Sequence, residues 1–441
     1  MKPSLSLLLL AALPSWAVAE DLVQVYRDAK GYDAQYAGAR YALVAGQERA
    51  PQGRAGLLPT LNLSANTTRT RLESDSDNAA LQPDFERRYR TDAYTLTFTQ
   101  PIYRRQNALQ YDQALWQVKQ SEATFAQAGQ DLVLRVTQAY FDVLGAQDTL
   151  ALVGAQKAAI SEQLAQAKRN FEVGTTTITD THEAQSRYDL VLAQEIAAQN
   201  DLENKRRSLE QLTGKEYAGL KPLRERIELG TPNPNDMQAW VDLAERQSYP
   251  VQVQQALVEV AVLEAKRGAA GHYPTLDLVA THGQSSQSGS TQSSVGSDLT
   301  SSTLGLQLSL PLYQGGAISS REREAAANLE RSRQDLEQAK RAAALAARQA
   351  YLASVNGLAQ VKALEQALVS SQSALDSNKL GYQVGVRINI DVLNAQQQLY
   401  STQRDLALAR YNTITSQLRL KAAAGSLQED DLGRVNQALA P

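Results

Sequence analysis

The residues with the most distinctive types and spacing in this chain form a motif that occurs twice. Phe171-Glu172-Val173-Gly174 is followed by Asp180, and Tyr382-Gln383-Val384-Gly385 is followed by Asp391. A glycine just past a helix can adopt the left-handed conformation, and an aspartate a few residues later can cap the next helix. For Asp180, Glu183 would complete a capping box. The motif therefore predicts two turns between helices, rich in hydrogen-bonding groups.

Other side chains that could carry chemistry do not form a recognisable site. The histidines are His182, His272 and His282, and none has metal-ligand spacing to another. The chain contains no nucleophile motif, phosphate-binding loop or metal-binding constellation. We therefore expect no enzyme activity, no cofactor and no bound metal.

The motif belongs to a longer internal repeat. The two copies of the motif are 211 residues apart, and the same separation relates Leu164 to Leu375 and Gly214 to Gly425. Upstream, Pro59-Thr60-Leu61-Asn62-Leu63 returns as Pro274-Thr275-Leu276-Asp277-Leu278. Landmarks in one order at near-constant separation indicate two copies of a structural unit. The predicted domains are a first repeat at 20–214, a linker at 215–235, a second repeat at 236–425 and a C-terminal tail at 426–441.

Each repeat contains a segment typical of a long coiled-coil helix. Apolar or small residues recur at three-four spacing from Leu132 to Phe171, and Lys157 is the one break. No proline lies between Pro101 and Pro222 or between Pro311 and Pro441, so no strong helix breaker interrupts either segment. Helices from about 104 to 171 and 322 to 380 would each reach roughly 90 to 100 Å.

Four other segments alternate between apolar and polar residues, which is typical of strands with one apolar face. Their apolar positions are Leu61, Leu63 and Ala65; Leu96 and Phe98; Leu276, Leu278 and Ala280; and Leu304, Leu306, Leu308 and Leu310. Polar loops, including 73–78 and 284–290, join them into two hairpins. In lipid, strands require a closed barrel of at least about eight strands, so four per chain would need a dimer with eight or a trimer with twelve. The alternative is a hairpin layer packed on the chain's own helices.

The N-terminal segment, the cysteine content and the net charge limit the classes of protein to which the chain can belong. Residues 1–19 predict a secretory signal peptide, since Lys2 precedes an apolar run and Ala17-Val18-Ala19 suits cleavage. The absence of cysteine excludes disulfides, thiolate metal sites and a lipidated N-terminus. A formal net charge of -3 argues against a nucleic-acid partner.

The chain resembles the TolC family of bacterial outer-membrane channels. The resemblance rests on 274–278, on Leu310-Pro311-Leu312-Tyr313-Gln314-Gly315-Gly316, on 381–385 with Asp391-Val392-Leu393, on 406–412 and on the matching motif of the first copy. It implies a mainly α fold with transmembrane β structure: a long coiled-coil α-helical barrel plus four β-strands per chain, with a homotrimer forming a 12-stranded β-barrel. The linker and tail would lie in a belt around the helical tunnel.

The resemblance also assigns roles at the two turns, which both lie at the end of the helical pairs opposite the hairpins. In the family, links between the helical hairpins close the tunnel tip. Carried over, Tyr382 would bond to Asp180, and Arg387 to Thr179 and to Asp180 of a neighbouring chain. Asp391 would form a lumenal ring that attracts cations. The family has a second acid where this chain has Asn394, so we expect weaker block by multivalent cations here.

The expected function is a passive exit channel for drugs or unfolded proteins in the outer membrane of a Gram-negative bacterium, with a tunnel in the periplasm. Implied partners are outer-membrane lipid, a periplasmic adaptor and an inner-membrane transporter of the ABC, RND or MFS type. The alternative is a non-conducting coiled-coil envelope protein or adhesin.

Overall fold

A computed structural model describes residues 19–75, 85–224, 227 and 229–440. The expected signal peptide, apart from Ala19, therefore lies outside the described residues, as does part of the loop that follows the first strand. No helix within the described ranges is both long enough and apolar enough to span a membrane.

The first copy contains three short helices, a hairpin and two long helices. They are α1 (Leu22–Tyr32), α2 (Ala34–Gln47), α3 (Arg49–Ala55), β1 (Thr60–Ser74), β2 (Phe85–Tyr103), α4 (Arg105–Glu172) and α5 (Ile178–Thr213). Helix α4 has 68 residues without a proline, as the sequence predicts.

The second copy follows the same order. It consists of α6 (Met237–Gln247), α7 (Tyr249–Ala269), β3 (Thr275–Gln287), β4 (Ser297–Ser309), α8 (Ala317–Gln383) and α9 (Asn389–Ala423). A last helix, α10 (Glu429–Gln437), lies in the tail. The predicted fold class, mainly α with four antiparallel strands, is confirmed.

The four strands form one antiparallel sheet in the order β1-β2-β3-β4. Leu63 of β1 lies opposite Leu96 of β2, and Leu278 of β3 lies opposite Leu306 of β4, so apolar residues line one face. This face is open in the single chain: 70% of Leu63 and 66% of Leu306 is exposed. The chain's own helices do not cover these leucines, contrary to the alternative of a hairpin layer packed on them.

The chain divides into two compact units, each with segments of both copies. The helical unit comprises Met1–Tyr41, Phe125–Val251 and Lys340–Pro441, and the strand unit comprises Ala42–Thr124 and Gln252–Ala339. In the strand unit, Arg104 makes a two-bond ion pair with the buried carboxylate of Asp277, at 2.7 and 2.6 Å. This pair ties the end of β2 to β3.

The helical unit buries its apolar residues in several separate clusters. Tyr140 and Val136 of α4 are fully buried among residues of α1, α5, α9 and α10. Farther along the coiled coils, separate clusters bury Ile160 and Leu164 of the first helical pair and Leu375 and Leu399 of the second. The predicted apolar seams therefore lie inside the helical pairs, except at Phe171, which is 43% exposed.

Candidate functional site

The repeated motif forms two short turns in the helical unit. The first joins α4 to α5 and the second joins α8 to α9. Gly174 and Gly385 have φ of 74° and 78°, in the left-handed region that side chains with a Cβ avoid. No atom would lie within 4 Å of a Cβ at either position, so the backbone conformation alone favours glycine.

Asp180 stabilises the first turn from inside α5. Its carboxylate accepts hydrogen bonds at 3.3 Å from the backbone N–H and from the hydroxyl of Thr177. The N-cap of α5 is Thr177, so the expectation that Asp180 itself is the N-cap, with Glu183 as its partner, is wrong. The helix begins earlier because an acid at its third position can bond back to the cap residue.

Asp391 occupies the corresponding third position of α9, where Ile388 is the N-cap. The expectation that Asp391 is the N-cap is therefore also wrong. Its carboxylate instead lies 3.7 Å from a guanidinium nitrogen of Arg387, and the two side chains are 33% and 58% exposed. A long, solvated pair of this kind contributes only about 0 to 1 kcal/mol to stability.

In the single chain, Tyr382 bonds to Asn170 of the first helical pair and not to Asp180, the partner that the resemblance implies. Its hydroxyl accepts a 3.4 Å hydrogen bond from the side-chain amide of Asn170, close to the end of α4. Thr179 is exposed. Within the ranges that the structure covers, no hydrogen bond or ion pair joins Tyr382 or Arg387 to Thr179 or Asp180 of the same chain.

The start of α9 packs on the first helical pair through contacts that the sequence does not predict. We call this contact region the seat of α9. Arg187 of α5 donates to the side-chain oxygens of Asn394, at 2.9 Å, and Gln397, at 2.6 Å. The buried amide of Gln163 donates to Asn389.

Between these polar contacts, Leu393 of α9 packs against the first helical pair and is 2% exposed. Its neighbours in the apolar cluster are Ile160, Leu164, Ala167, Ala184 and Val191. The sequence carries one signal of this seat: the counterpart of Arg187 in the second copy is Gln398, so the arginine is found in one copy only.

A second contact between α4 and α9 involves a half-buried carboxyl group. The hydroxyl of Tyr411 donates to Asp148 at 2.6 Å, and the ring of Tyr411 stacks on Phe141. Burial raises the pKa of Asp148, although the hydrogen bond from Tyr411 acts in the opposite direction. Burial and the nearby carboxylate also raise the pKa of Tyr411. Burial outweighs the hydrogen bond, so the pKa of Asp148 lies above its usual range.

Lys157, the break in the apolar seam, is half of an ion pair within the first helical pair. Its ammonium lies 2.6 Å from both oxygens of Glu195, and the side chains are 31% and 16% exposed. The corresponding residues of the second copy are Leu368 and Leu406, which belong to one apolar cluster. One helical pair thus has a charged contact where the other has an apolar one.

Comparison with known proteins relates the whole chain to one family. The family model "Outer membrane efflux protein" matches residues 25–215 and 240–426. Outer membrane protein TolC of Vibrio cholerae is 35% identical over 433 residues, which is 98% of this chain and 96% of that protein. The alkaline protease secretion protein AprF of Pseudomonas aeruginosa is 35% identical over 420 residues, covering 94% and 86% of the two chains.

Solved structures agree at the level of the fold. The CmeC outer membrane channel of Campylobacter jejuni superposes with a TM-score of 0.79 at 16% identity, over 95% of this chain and 89% of its own. The outer membrane protein VceC of Vibrio cholerae gives a TM-score of 0.76 at 20% identity, over 92% and 96%.

Proposed function

The chain belongs to the outer membrane efflux protein family, and from this we propose that it works as a passive channel for efflux and type I secretion. It is located in the outer membrane, with a periplasmic tunnel. The proposed channel needs no catalysis, because energy would come from its inner-membrane partner.

The observation that carries the proposal is the open apolar face of a sheet with two free edges. In the sheet order β1-β2-β3-β4, strands β1 and β4 have unpaired backbone groups along one side. Lipid cannot satisfy such groups, and an edge of a neighbouring chain can. We propose that three chains join β1 to β4 around a twelve-stranded barrel, with the leucine face toward lipid.

The gate would form at the two turns when three chains assemble. We propose that Tyr382 bonds to Asp180, and that Arg387 bonds to Thr179 and to Asp180 of a neighbouring chain. In the single chain, Tyr382 is bound by Asn170 and Arg387 faces Asp391. Both contacts are long and partly solvated, so exchanging them for contacts between chains would cost about 1 kcal/mol or less. A gate built from several such bonds could be released by a docking partner.

Asp391 would contribute a ring of three carboxylates to the lumen, and Asn394 a neutral position one turn farther along α9. The proposed cargo and the proposed partners of the channel rest on the names of its relatives. Since AprF is named as an alkaline protease secretion protein, we propose that the cargo includes secreted polypeptides as well as small molecules. A periplasmic adaptor and an inner-membrane ABC, RND or MFS transporter would complete the pathway.

Conductance across a planar lipid bilayer tests this proposal. The purified wild-type protein should insert as trimers with a small, stable conductance. The double variant Tyr382→Phe with Arg387→Ser should conduct several-fold more, because the gate bonds are lost. Heat-stable trimers without any conductance, in both proteins, would favour the non-conducting envelope protein instead.

A further inference from the structure

The apolar face of the first hairpin continues into a cluster of arginines. Alternate residues of a strand share a face. The cross-strand pairs Leu61–Phe98, Leu63–Leu96 and Ala65–Tyr94 therefore lie on the same side as the pairs Thr67–Asp92, Arg69–Arg90, Arg71–Arg88 and Glu73–Glu86. Two successive rows on this face thus place arginine opposite arginine.

These rows lie at the end of the hairpin that is farthest from the helices, since β1 follows α3 and β2 leads into α4. Strand β2 has a bulge between Pro101 and Tyr103, and beyond it Tyr103 lies opposite Leu276 of the apolar face. From Tyr103 to Arg90 the strand rises about 40 Å. At a strand tilt of about 45° this is roughly 28 Å along the membrane normal, close to the apolar band of about 25 Å in such barrels. The arginines would therefore lie at the level of the outer headgroups.

This face has four arginines and three carboxylates, Glu73, Glu86 and Asp92. Glu86 pairs with two guanidinium groups, those of Arg71 at 2.8 Å and Arg88 at 2.7 Å, and Glu73 lies 3.6 Å from Arg71. Arg90 pairs with Asp92 at 2.9 Å. The side chain of Arg69 has neither a hydrogen bond nor an ion pair to any residue that the structure describes.

The side chains of Arg71, Arg88 and Arg90 are between 58% and 66% exposed, so many of their donors remain available. Like charges directly opposite each other destabilise a strand pair. An external anion would relieve this repulsion, most of all in the row of Arg69 and Arg90.

The second hairpin has no such cluster. Its corresponding rows on the same face are His282–Ser302, Gln284–Thr300 and Ser286–Asp298. Arg87 lies on the opposite face of β2 and donates to the backbone carbonyl of Thr291 at 2.8 Å. The arginines of the cluster are therefore restricted to one hairpin and to its apolar side.

We propose that Arg69, Arg71, Arg88 and Arg90 form a binding site for the phosphate groups of lipid in the outer leaflet. Guanidinium groups bind phosphate oxygens through two parallel hydrogen bonds. Facing arginines are about 5 Å apart between Cβ atoms, and the two rows about 7 Å apart. This spacing suits a headgroup with two phosphates, whose acyl chains would lie along Leu63 and Leu96.

Binding of diphosphoryl lipid A, measured by native mass spectrometry on the purified full-length protein, tests the site. The wild type should retain the lipid, and Arg69→Gln with Arg90→Gln should weaken binding at least about tenfold. Arg87→Gln, on the opposite face, is the matched control and should bind as the wild type does. Monophosphoryl lipid A should bind more weakly than the diphosphoryl form.

Equal binding by the wild type and the double variant would overturn the site, and so would equal binding of lipid with and without phosphate groups. Displacement of the lipid by millimolar inorganic phosphate would show a site for free phosphate only, against the proposal. Trimer stability and single-channel conductance of the same variants are the folding control. Because binding does not require conduction, failure of this site can be distinguished from failure of the proposed channel.

Discussion

Arg187 of α5 donates a 2.9 Å hydrogen bond to the side chain of Asn394 of α9. The same guanidinium donates to Gln397, one turn farther along α9. Both acceptors are neutral amides, so the charge of Arg187 is not compensated at this contact. One side chain thereby connects the first helical pair to the second, close to both turns.

We predict that Arg187→Gln loosens the seat of α9 and increases the conductance of the closed channel in planar bilayers several-fold. The physical reason is the loss of two charge-assisted hydrogen bonds, each worth about 1.5 to 3 kcal/mol. The effect should add to that of Arg387→Ser if the two arginines act at separate contacts.

The matched control for this prediction is Arg207→Gln on the same helix. The guanidinium of Arg207 donates to Glu203 and Glu210 of its own helix and lies 3.9 Å from Glu216 in the segment that follows. None of these partners belongs to α9, so this variant should conduct as the wild type does. A change in lumenal charge could also alter conductance, and ion selectivity separates the two causes. If Arg187→Gln altered selectivity and left the closed conductance unchanged, Arg187 would not hold the seat.

The contact with Arg187 changes what is expected of Asn394. A second ring of carboxylates should deepen block by multivalent cations, but an aspartate at this position would face a guanidinium. We predict that Asn394→Asp alone deepens the block only slightly. In an Arg187→Gln background, the same substitution should deepen it strongly. Titration of the single-channel current with a trivalent cation measures both, and equal effects in the two backgrounds would contradict the prediction.

The sequence predicts the helices, the strands and their apolar faces because each has a local period that a single copy displays. Landmarks such as Pro311 and the repeated Val-Gly turn also locate the boundaries between elements. For the N-caps, the sequence favours Asp180 and Asp391, each three residues after the actual caps, Thr177 and Ile388. In the first turn Thr177 and Asp180 are both acceptable cap residues, so local preference does not decide between them. The contacts of Arg187 with Asn394 join positions of different copies, so no local pattern reports them.

The ion pair of Lys157 with Glu195 can be recognised from the sequence, because the corresponding residues of the second copy are Leu368 and Leu406. We predict that Glu195→Gln lowers the thermal stability, because it leaves a half-buried ammonium without its charged partner, at a cost of several kcal/mol at most. Replacing both residues by leucine, as in the second copy, should restore most of the stability.

Thermal unfolding followed by circular dichroism in detergent checks this prediction. The control is Glu203→Gln, on an exposed part of the same helix, where the carboxylate pairs with Arg207. This variant should cost less than about 1 kcal/mol. A double-leucine variant less stable than Glu195→Gln would mean that the ion pair cannot be exchanged for an apolar contact here.

The half-buried contact between Asp148 and Tyr411 should make stability depend on pH. Because burial raises the pKa of Asp148 in the folded chain, the carboxyl group binds its proton more tightly in the folded state than in the unfolded state. Its contribution to stability is therefore fully present below the unfolded pKa and is lost as the pH rises through the folded pKa.

Asp148→Asn removes this titration and keeps an oxygen that can accept from Tyr411. The variant should melt at a higher temperature than the wild type at pH 7, and this advantage should disappear near pH 3. Asp189→Asn is the control, because this carboxylate lies at an exposed position of α5 and accepts from Gln185 of the same helix. It should change the melting temperature little. An advantage of Asp148→Asn that stays constant from pH 3 to pH 8 would show that its cause is packing rather than the buried charge.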